Sequence, residues 1–127
     1  MINNEEKKAL FITRGEKAIF DIFLEKKDGL PRPVDLTNFD TFAASFPLET
    51  GSYLIITQVP NAAGSVIDKV SPDVLGQIKI TLGPDDTQLL RTRLSQDLDI
   101  EWDNSVTPNT RRKRLTNILS IEDSTID

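Results

Sequence analysis

The segment GQIKITL, Gly76 to Leu82, alternates without a break: Ile78, Ile80 and Leu82 on one side, Gln77, Lys79 and Thr81 on the other. Successive side chains of an extended chain point to opposite faces, so a period of two marks a strand with one buried side. The same period runs through KAIFDIFLE (Lys17 to Glu25), with Ala18, Phe20, Ile22 and Leu24 inward. It recurs in DLDIEWD (Asp97 to Asp103), with Leu98, Ile100 and Trp102 inward. It recurs again in RLTNILSI (Arg114 to Ile121), with Leu115, Asn117, Leu119 and Ile121 on one side. ALFIT, FDTFAASFPL, YLIITQV and Ser65 to Val70 supply further short strands, separated by Gly, Pro, Asn and Asp. One helical turn is expected at Asp85 to Leu90, where Pro84 and two acids suit the electropositive start of a helix. The expected fold is all-β: a single immunoglobulin-like antiparallel β-sandwich of seven or eight strands with one short helical turn. The 127 residues are about one domain, read as 1–127 with a flexible arm at 1–8 and a frayed tail at 123–127.

The composition narrows the chemistry. With no Cys, the chain has no disulfides, thiolate metal sites or thiol nucleophiles. With no His, it lacks the commonest general base and transition-metal ligand. The start MINNEEKK is charged and does not read as a secretory signal, and no apolar run approaches the ~20 residues needed to span a bilayer. A net charge of -5 argues against a dedicated polyanion binder. No enzyme, no cofactor, no nucleic acid and no membrane is therefore the expectation.

One stretch runs against the acidic total: Arg111, Arg112, Lys113 and Arg114 stand in a row. Asn104 to Thr110, with Asn, Ser, Pro and Thr, separates them from the acidic strand and reads as a hairpin loop. Pairing Ile100 with Leu115 sets Glu101 opposite Arg114 and Asp103 opposite Arg112 on the outer face. The basic run is then one half of a charge-paired hairpin; the alternative reading is a contact to nucleic acid or to an acidic partner protein. The acidic row Asp97, Asp99, Glu101, Asp103 has the i, i+2 spacing of calcium-loop ligands. In a strand, however, such residues sit nearly 7 Å apart and cannot converge on one ion.

Few other residues suggest chemistry. Asp85 and Asp86 read as the start of the helical turn rather than as an acid–base pair. Aromatics are only 6%, Trp102 falls on an inward position, and Tyr53 is expected to be partly exposed. Ile19, Phe23 and Ile118 fall on the side opposite the core face. Either a neighbouring segment covers them, or they form an apolar contact patch for a protein interface.

FITRGEKAIFDIFLEKKDGLPRPVDLT, GQIKITLGPDDTQLLRTRLSQDLDIEWDN and LTNILSIEDSTI together resemble phage tail and baseplate β-sandwich domains. The named comparison is the N-terminal domain of upper baseplate proteins of tailed phages. The resemblance covers Phe11 to Ile126. It implies a non-enzymatic virion module, assembled in the bacterial host cytoplasm. Such a module acts through oligomeric protein–protein contacts with copies of itself and with other virion proteins. The arm Met1 to Ala9 is a candidate strand for donation to a neighbour. The alternative is a carbohydrate-binding module that recognises host surface glycan.

Overall fold

The computed structural model describes residues 9–26 and 29–123. The chain is all-β. Its strands are β1 (Leu10–Thr13), β2 (Ala18–Phe23), β3 (Glu25–Lys26), β4 (Arg32–Pro33), β5 (Thr41–Pro47), β6 (Tyr53–Thr57), β7 (Val66–Lys69), β8 (Gln77–Leu82), β9 (Arg93–Asp103) and β10 (Arg111–Glu122). These ten exceed the expected seven or eight because β3 and β4 form a separate two-residue ribbon. The short helix α1 spans Pro84–Thr87, ending earlier than expected, and a 3-10 turn spans Asp73–Leu75. Most of the arm and tail (residues 1–8 and 124–127) lies outside the described residues. Asp123, the first tail residue, pairs with Arg14 at 3.3 Å.

A five-stranded sheet runs in the order β1-β10-β9-β5-β6 and a three-stranded sheet in the order β2-β8-β7. One expectation fails here. The pairing is not wholly antiparallel, because β1 runs parallel to β10, with Leu10 opposite Leu119 and Ile12 opposite Ile121. These strands lie at opposite ends of the chain, so no local turn signal reports their contact.

The alternation decides what is buried. Ile78, Ile80 and Leu82 of β8 are inaccessible, and they face Phe42, Ala44 and Phe46 of β5 and Leu98, Ile100 and Trp102 of β9 across one core. Phe20 of β2 meets Phe46 edge-on, with ring centres 6.3 Å apart, and so ties the two sheets together. Buried Val34 and Leu36, with Phe39 beside them, join this core from the segment after β4.

The turns are held by directed bonds. Arg14 donates to the Gln88 carbonyl through Nε (3.0 Å) and Nη2 (2.8 Å), while Thr87 Oγ1 accepts from Gly15 N (3.0 Å) and donates to the Glu16 carbonyl (2.8 Å). The β1–β2 turn is thereby fastened to α1. Gly76 has φ 66°, and a Cβ there would lie 2.7 Å from the Leu24 carbonyl oxygen and 2.8 Å from that of Val34. Both its conformation and its neighbours demand glycine.

Candidate functional site

The basic run forms the first part of β10, and its hairpin with β9 exists as expected. The register differs by two residues. Arg112 lies opposite Glu101 and Arg114 opposite Asp99, with Leu115 opposite Leu98. The expected pairs Glu101–Arg114 and Asp103–Arg112 do not form. A shift of two leaves every side chain on its own face, so alternation cannot distinguish the two registers. The loop decides instead. Asp103 accepts from Asn104 N (2.7 Å), Asn109 N (2.7 Å) and Thr110 Oγ1 (2.6 Å), and so closes the loop rather than pairing with an arginine. These bonds, Thr110 first, hold its carboxyl below the usual carboxylate range.

The ion pairs that do form are well aimed. Arg112 Nε reaches Glu101 Oε2 at 2.9 Å. Arg114 reaches both Asp99 oxygens, at 2.8 and 3.3 Å, and this contact pushes its pKa up. All four side chains remain substantially exposed, so screening keeps the pairs weak. Their main consequence is that the outer basic residues are already partnered.

Ile118 is a correction. It packs against the core instead of facing outward. The register of β10 on β9 shifts between Leu115 and Leu119, and Asn117 sits in this irregularity with φ 56°. Asn tolerates that conformation, and the Asn117 N–H is taken by Asp97 Oδ1 at 3.0 Å. Within the bulge Asn117 turns out and Ile118 turns in, while Leu119 and Ile121 keep the inward parity of Leu115.

Ile19 and Phe23, by contrast, are exposed, at 53% and 58%. They stand on the outer side of β2, an edge strand of the small sheet. Between them Asp21 lies opposite Lys79, which lies opposite Asp68. The patch is thus two apolar ends around a mixed charge row.

Of a second exposed apolar edge, the sequence announced only Tyr53. β6 closes the five-stranded sheet on its other side, and Tyr53 and Ile55 on it are each 61% exposed. Val59, just past the strand, is 75% exposed. Beside them Ala43 and Ser45 of β5 are small, and beyond these come Glu101 and Asp99 with their arginines. The signal was present: Tyr53 to Val59 contains no charged residue. Edge strands are usually protected by charge, and this one is not. Trp102, whose ring a glycan site would need exposed, is 6% exposed. Among the described residues no group of three or more acids is placed to hold a metal ion.

Comparison with known proteins gives no match, either to a family model or to a curated sequence.

Proposed function

We propose that this chain is a non-enzymatic structural module of a phage virion, tail- or baseplate-associated, that works by assembling with copies of itself and with other virion proteins. The observation that carries this reading is the pair of edge strands with uncovered apolar side chains, Ile19 and Phe23 on β2 and Tyr53 and Ile55 on β6. Edge strands offer unpaired backbone groups to a partner strand, and apolar side chains beside them add buried area. The sequence resemblance supplies the virion context. Two sheets sharing one core also support the finer reading of an immunoglobulin-like sandwich.

Light scattering over a wide range of protein concentration tests the proposal. A discrete oligomer of closed symmetry that survives dilution is expected. Ile55→Lys or Phe23→Lys, placed on whichever edge is used, should dissociate it while leaving the circular dichroism spectrum unchanged. A strict monomer at every concentration would overturn self-assembly.

A further inference from the structure

The other side of the hairpin carries the remaining two basic residues of the run. With Arg111 opposite Trp102, Lys113 opposite Ile100 and Leu115 opposite Leu98, these three β10 residues share the inner face of the sheet. Leu115 packs against the core. Arg111 and Lys113 line a cleft of about 580 Å³ beside the β3–β4 ribbon, together with Lys26 and with Phe39 and Trp102 as apolar walls. That volume is in the range of small-ligand sites.

Two features of this cleft point to an incoming ligand that pairs negative charge with an apolar group. First, neither Arg111 nor Lys113 makes an ion pair or a side-chain hydrogen bond among the described residues, whereas Arg112 and Arg114 both have carboxylate partners. Second, Phe39 and Trp102 give the ligand an apolar surface to lie on. Glu25 and Asp35 also line the cleft, and Thr37 holds the Asp35 carboxyl below the usual carboxylate range, so they limit the size of the anion that fits. A long polyanion would have to cross these acids. A short segment with one or two carboxylates avoids them.

We propose that this cleft is a socket for a short acidic segment of a partner protein, its carboxylates on Arg111 and Lys113 and a neighbouring apolar side chain against Phe39 and Trp102. The proposal rests on the reading of the chain as an assembly module, and it concerns a partner other than the one on the apolar edges.

Trp102 is the only tryptophan and lines the cleft, so its fluorescence reports directly. The probe is an arrayed set of capped pentapeptides, each with two Asp or Glu residues flanking an aromatic residue, titrated into the full chain. An otherwise identical set carries Asn and Gln. Members of the acidic set should shift the emission saturably, and the amide set should not. Arg111→Gln with Lys113→Gln should weaken binding about tenfold or more, the scale of losing partnered charges. Lys79→Gln, on the other sheet and outside the cleft lining, should change binding less than twofold. Lys26→Gln serves as a second variant should the double one melt early. The proposal is overturned if no acidic peptide binds at about 1 mM, or if the amide set binds equally. It is also overturned if the double variant binds as well as the wild type, or if a ten-base oligodeoxythymidine outcompetes every peptide. None of these outcomes depends on the oligomeric state, so the socket and self-assembly fail or survive separately.

Discussion

Replacing Ser65 with Ala should destabilise the fold far more than the loss of one oxygen suggests. Ser65 is inaccessible and sits where the loop after β6 enters β7. Its Oγ donates to Asp86 Oδ2 and accepts from Gly83 N at 2.9 Å. Asn61 holds the same Asp86 oxygen through Nδ2 at 2.8 Å, and its Oδ1 accepts from Ser65 N at 2.9 Å. The network thus joins the β6–β7 loop to the start of α1. Ser65→Ala leaves the buried Gly83 N–H without an acceptor, which costs roughly 1–3 kcal/mol. Asp86 also loses the Ser65 hydroxyl donor, although Asn61 Nδ2 still donates to the same oxygen. The sum is about 2–4 kcal/mol, or a drop in Tm on the order of 10 °C for a domain of this size. Urea unfolding followed by Trp102 fluorescence measures it, because this ring is buried in the folded state. A loss below about 0.5 kcal/mol, the usual scatter of surface substitutions, would show that the network is not a structural tie.

Two further outcomes follow from the same geometry. Gly83→Ala places a Cβ 1.8 Å from the Ala63 carbonyl oxygen, so the backbone must shift; a lowered Tm is expected, and an unchanged one would count against the close packing of this loop on α1. Asp40, bonded chiefly by Ser105, and Asp103, bonded chiefly by Thr110, both have carboxyl pKa values below the usual range. For groups lowered in the folded state, the stabilisation is fully present above the unfolded value and is lost as pH falls through the folded one. The urea midpoint should therefore decline below about pH 4, and Asp40→Asn with Asp103→Asn should flatten that decline.

Much of the fold was legible because alternation is local. Ile78, Ile80 and Leu82, or Leu98, Ile100 and Trp102, declare one apolar face within a few residues, and water enforces that choice wherever the strand is placed. Ile19 and Phe23 break the pattern visibly, and they are indeed uncovered. The turns at Gly51, Gly64 and Gly76 were equally local, each with a positive φ.

What the sequence did not reveal depends on neighbours. Period two is blind to a slip of two residues, so the β9–β10 register waited on Asp103 closing its loop. Ile118 turned inward because Asn117 adopted a left-handed conformation inside a bulge, which no alternating pattern announces. The parallel partnership of β1 with β10 joins the two ends of the chain. The strands left as edges emerge only once every other pairing is made. Residues i and i+2 of one strand show which side chains share a face; which strand lies opposite, and at what offset, is settled by the summed packing and hydrogen bonding of segments far apart in the chain. The cationic cleft belongs to this second class. Arg111 and Lys113 had the parity of Leu115 all along, but only the assembled sheets place Phe39, Trp102 and the β3–β4 ribbon around them.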